Sequence, residues 1–158
     1  MILTTGAMKR NSRPLSVLER EWLINIINGY SCSPKGEWLN EIPYNTECKY
    51  YWCDAMNMDN CILGARPLFG KDIYLAPPPN GSDKEFVVKD WIMSIASVAI
   101  HELRHMWQQK EFGLLTWSVL RFPEVLPPLY GKVIIERDAF QIEREAEEYI
   151  ASLATNNI

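Results

Sequence analysis

His101 and His105, the chain's two histidines, are separated by Glu102, Leu103 and Arg104. On a helix, residues four apart stand one turn above each other on the same face, so both imidazoles can reach a single metal ion. Glu102, beside the first, can then take a proton from a water that the metal acidifies. The chemistry on offer is metal-assisted hydrolysis, with Zn2+ the ion suited to such ligands.

A catalytic zinc takes three protein ligands and keeps an open position, so a third donor must come from elsewhere. The chain has no third histidine, which excludes a three-histidine arrangement: its glycine and histidine would fall at Gln108 and Glu111. Glutamate on a later helix is the remaining choice. Glu136 and Glu143 lie seven residues apart on one face, each in an E-x-x-A setting with Ala139 or Ala146, whose small side chains would let that helix approach the motif helix. If the motif helix ends near Gly113, a helix returning from about Lys132 reaches the metal's level within two turns, which favours Glu136. An unbroken motif helix to Phe122 would favour Glu143 as the alternative third ligand.

The elements that must position these residues follow from the rest of the chain. Met1 to Arg13 reads as a basic, flexible lead-in. Ser16-Val17-Leu18-Glu19 is a capping box ahead of apolar residues at helical spacing, predicting a helix over about 16–28. Cys48 to Cys53 is aromatic and strand-like, and Asp54 to Asn60 turn-like. Cys61–Phe69 and Asp72–Ala76 flank Gly70-Lys71 and predict a β-hairpin whose first strand, holding Pro67, lies at a sheet edge. Ser82 or Asp83 is positioned to cap the motif helix, on which Ser94 and Ser97 share the face of His101 as a small polar cleft floor. Leu114 to Phe122 reads as a short helix broken by Pro123, Pro127 and Pro128, and a charged helix follows from about Lys132 to Leu153. The expected fold is α+β in a single domain over 1–158: N-terminal helix, small mostly antiparallel sheet with a hairpin, motif helix and glutamate helix.

Cys61, forty residues before His101, raises the cysteine-plus-HExxH metal site of peptide deformylases, but Asn60-Cys61-Ile62-Leu63-Gly64 lacks that family's E-G-C-L-S setting. A buried core cysteine is the better reading. The chain instead resembles small bacterial and phage metallopeptidases of the gluzincin type, through His101-Glu102-Leu103-Arg104-His105-Met106-Trp107-Gln108 and Glu136-Arg137-Asp138-Ala139, with Gly113 and Tyr130 between them. The resemblance covers about the last seventy residues and implies a minimal zincin fold. Gluzincins often place an acid or amide four residues after the ligand glutamate to orient a histidine; that position is Phe140 from Glu136 and Glu147 from Glu143.

These readings predict a zinc metallopeptidase in which His101, His105 and Glu136 hold the metal, Glu102 acts as base and Tyr130 stabilises the oxyanion. A peptide or protein substrate would add as a strand along Ile62 to Arg66. Arg104 is expected to be solvated or salt-bridged at the surface. The competing function is a catalytically silent zincin-fold structural or interaction protein in a larger assembly, with the apolar 114–130 segment as its partner surface. Net charge −4 and a pI near 5.2 give no electrostatic case for nucleic acid. Four cysteines without a C-x-x-C pair, Cys32, Cys48, Cys53 and Cys61, do not form a recognisable zinc framework. With neither a signal-peptide pattern nor an apolar run long enough to cross a bilayer, a cytoplasmic protein is expected.

Overall fold

The computed structural model describes residues 4–59, 61–67, 70–113 and 130–156. Its architecture is α+β. The lead-in forms a short helix α1 (Thr5–Arg10), capped by the Thr4 hydroxyl, and an edge strand β1 (Ser12–Pro14), where the sequence suggested only a flexible start. Pro14 suits that place because an edge strand can spare one backbone donor.

Helix α2 (Val17–Ser31) opens on the expected reciprocal cap: the Glu19 amide donates to the Ser16 hydroxyl, and the Ser16 amide to the Glu19 carboxylate. It runs through Gly29 and ends against a 3-10 helix (Pro34–Glu41) begun by Pro34. Strand β2 (Lys49–Cys53) follows, then β3 (Gly64–Ala65) and β4 (Asp72–Leu75).

The sheet order is β1-β2-β4-β3. The outer pairings are antiparallel, but the central one, β2 with β4, is parallel, so the sheet is mixed rather than mostly antiparallel. Central strands are covered on both faces, which is why Tyr50, Trp52, Ile73, Tyr74 and Leu75 are all buried. The predicted hairpin is the β3–β4 pair in the register Gly64 with Leu75, so its turn is longer than Gly70-Lys71 alone.

Helix α3 (Glu85–Phe112) carries the motif and contacts α2, the 3-10 helix, β3, β4 and the last helix. Its buried face, including Ile92, Ile95, Ala99, Ile100 and Leu103, recurs at three- and four-residue intervals and forms the middle of the core. The N-cap is Lys84, which makes no side-chain cap bond, rather than Ser82 or Asp83; Glu85 places an acid in the first turn instead. Gly113 ends the helix at φ 77°, a conformation that costs glycine little. Helix α4 (Tyr130–Asn156) returns along α3, with Ala139 and Ala146 fully buried between them. The segment 114–129, with its predicted short helix and partner surface, lies outside the described residues.

Candidate metal centre

His101 and His105 project from one face of α3 with their Nε2 atoms 3.2 Å apart. Glu136, on the second turn of α4, enters between them: Oε1 lies 2.9 Å from His105 Nε2 and Oε2 3.4 Å from His101 Nε2. One donor atom from each residue lies within 4.8 Å of the others, so the group could hold a metal ion. Ligands about 2.0–2.2 Å from a tetrahedral ion stand roughly 3.3–3.6 Å from one another. The separation of the two imidazole nitrogens falls near that range, while each histidine meets a different oxygen of Glu136, so one carboxylate oxygen would have to move between them to complete a three-ligand set. Two imidazole nitrogens and a carboxylate are donors that suit a divalent ion such as zinc.

Each imidazole is held from behind. His101 Nδ1 lies 2.8 Å from Glu143 Oε2, and His105 Nδ1 lies 2.9 Å from Gln108 Oε1. Such partners orient a ligating ring and fix which nitrogen is bare. Glu143 therefore stands behind His101 while Glu136 stands with both rings. Phe140, four residues after Glu136, sets its ring edge-on to His101 at 4.6 Å between centroids, and Glu143, seven residues on, supplies the orienting acid.

Electrostatics follow from this crowding. Burial alone would lower the His101 pKa, but the Glu136 and Glu143 carboxylates overcome it and raise the value to about 10. Burial likewise works against an ionised Glu136, yet the two imidazoles hold its carboxyl well below the usual range. A cation held there would compete with protons for the same imidazole nitrogens. Glu102 faces the same cavity, where burial raises its carboxyl pKa against the lowering effect of both histidines.

The cavity measures about 390 Å3, within the range of small-ligand sites. The residues from Cys61 to Arg66 form one wall, and His101, His105, Glu136 and Phe140 the other. Gly64 permits the close approach of these walls: a Cβ there would lie 2.5 Å from Val98 Cγ1 and 3.5 Å from Glu102 Cγ. Cys61 is exposed at this wall with φ 58°, not buried in the core, because the chain turns there before entering β3. The buried thiols are Cys48 and Cys53, and all four cysteines are free.

The serine strip does not floor the cavity. Ser97 is buried and faces a separate groove beside Glu147 and Ile150 of α4, while Ser94 is exposed and bonds back to the Asp90 carbonyl. A helix face is wide enough that residues four apart meet different neighbours when a second helix lies alongside. Arg104 is salt-bridged but largely enclosed: its side chain is 12% exposed and pairs with Asp138. Tyr130 opens α4, and its side chain lies outside the described residues. Gln108, Asp138 and Phe140 entered the sequence reading only by their places in the motifs, with no contact at the site assigned to them. The spacing of Gln108, three beyond His105, was the signal for the first.

Comparison with protein-family models, with curated proteins and with solved structures finds no match for this chain. Among the described residues, no helix is long and apolar enough to cross a membrane.

Proposed function

We propose that this protein is a zinc-dependent hydrolase of peptide-like amide bonds, of the gluzincin type its motifs resemble. One observation carries the reading: His101, His105 and Glu136 bring one donor atom each within 4.8 Å of one another on the cavity that Glu102 also lines. Bound zinc would supply Lewis acidity, polarising a carbonyl and bringing a water's pKa toward neutrality. Glu102 accepts the proton of the attacking water at its carboxylate and delivers it to the departing nitrogen; its raised pKa matches that task.

The edge strand holds the substrate. The Ala76 amide donates to the Leu63 carbonyl, and β3 then pairs with β4 through Ala65, so the intervening Gly64 turns its own N–H and C=O away from β4. An extended peptide pairing there lies along the cavity wall facing the metal ligands. Phe140 and Ile62 supply apolar surface on either side.

The test is metal analysis of the purified protein together with turnover on a peptide library, for wild type and Glu102→Gln. We expect about one zinc per chain in both, with turnover falling about 10²–10⁴-fold in the variant. Bound zinc without turnover on any peptide would replace this reading with that of a silent structural protein. Absence of zinc binding would overturn the enzymatic reading and leave a silent protein that needs no metal.

A further inference from the structure

We propose that the groove between the N-terminal half of α3 and the C-terminal half of α4 binds a linear aliphatic polyamine. Asp90, Ser94 and Ser97 line it from one face of α3, and Glu147, Ala151 and Ala154 from one face of α4. Serine and alanine put no long side chain into the space between the helices, which leaves a hollow of about 360 Å3.

The polar groups in this hollow are short of partners. Ser97 is 2% exposed, and its hydroxyl bonds to no other described residue, whereas Ser94 donates to the Asp90 carbonyl at 3.4 Å. An enclosed hydroxyl that the protein leaves unbonded can take its partner from a ligand. Among the described residues, lysine and arginine make their ion pairs elsewhere, Arg13 with Asp54, Lys71 with Glu47 and Arg104 with Asp138. Asp90 and Glu147 have none. Lys89, next to Asp90, instead lies over the Trp22 ring, 5.5 Å from its centre.

Spacing decides what fits. Glu143 meets His101, and α4 returns along α3, so Glu147, one turn beyond Glu143, stands level with Ser97, one turn before His101. Asp90 lies seven residues before Ser97, about 10 Å along the axis at about 1.5 Å per residue. Two carboxylates that far apart cannot share one metal ion, and a single lysine side chain carries one charge for two acids. Between them Met93, Ile150, Ala151 and Ala154 offer apolar surface. One turn of helix fills roughly 400–600 Å3, taken as a cylinder about 10–12 Å across. The hollow is smaller than that, so it suits an extended chain. Ammonium groups at the two ends of a methylene chain would meet Asp90 and Glu147, and the second would also donate to the Ser97 hydroxyl.

The test is calorimetric titration of the full chain at low ionic strength with spermidine, with terminal diaminooctane and with terminal diaminobutane. Spermidine and diaminooctane, long enough to reach both carboxylates, should bind one per chain, and diaminobutane roughly fivefold more weakly, as loss of one partly exposed ion pair requires. Asp90→Asn and Glu147→Gln should each cost spermidine roughly fivefold and remove the difference between the two diamines. Ser97→Ala should weaken spermidine binding severalfold. Glu136→Gln, which takes a carboxylate from the metal centre, should leave it unchanged. No saturable binding, equal affinity for both diamines, or an affinity untouched by Asp90→Asn and Glu147→Gln overturns the proposal. So does loss of binding in Glu136→Gln, which would move the amine to the metal centre. None of these outcomes bears on zinc binding or turnover, so the function proposed above stands or falls separately.

Discussion

The two walls of the cavity are built by different rules. On the α3–α4 side, every candidate ligand sits on a long helix, each histidine has a second contact behind its ring, and two alanines are fully buried where the helices meet. On the β3 side the strand is two residues long, preceded by a cysteine at positive φ and brought close by a glycine. Donor atoms that must stay within a few tenths of an ångström need rigid carriers. A wall that recognises an extended backbone needs only its own amides and room to approach.

If that division holds, changes on the two sides should fail in different ways. Ala139→Leu should have the largest effect, because a branched side chain between α3 and α4 forces them apart at about 1–3 kcal/mol and withdraws Glu136 from the imidazoles. Thermal unfolding and zinc affinity should fall together; wild-type values for both would mean that the helices are not closely packed at that level. Gly64→Ala should be milder, about 1–2 kcal/mol, since a single added methyl must displace one methyl of Val98, which is stiff on its helix. Here zinc content should remain intact while KM rises severalfold. Loss of the metal from this variant would merge the two walls into one unit.

The smallest effect concerns pH. The Asp138 carboxyl is lowered in the folded protein, so its ion pair contributes stability above the unfolded carboxylate value of about 3.9, and that contribution disappears as pH falls through the folded value. Urea unfolding of wild type and Asp138→Asn should differ at neutral pH and converge in acid. A gap that persists undiminished at low pH would assign the difference to packing.

Local signals in the sequence proved the most legible. The Ser16–Glu19 box and Gly113 are written in a few adjacent residues whose backbone chemistry leaves few alternatives, and α2 and α3 start and stop there accordingly. The pairing of Glu136 with two histidines thirty residues away could be narrowed because helix rise and a glycine stop limit where a returning helix can reach. Non-local features were not legible in this way. Nothing in Lys49–Cys53 or Asp72–Leu75 states that they lie side by side in parallel, since that depends on where the intervening chain goes. Cys61 illustrates the same limit: its composition suits a core, but a turn before β3 holds it at the surface. Arg104 shows a third limit: it reads as a surface charge until its partner Asp138, on another helix, is alongside and the pair is largely enclosed.

The parallel pairing of β2 with β4 has a consequence for how this protein could diversify. Parallel neighbours require a crossover between them, and here that crossover, residues 54–71, carries β3 and the wall opposite the histidines. Its ends are anchored in buried strands, while the candidate ligands all belong to helices later in the chain. Residues 54–71 thus form an exchangeable cassette, which recombination between relatives or deliberate grafting could replace to alter what the cavity accepts without touching the centre itself.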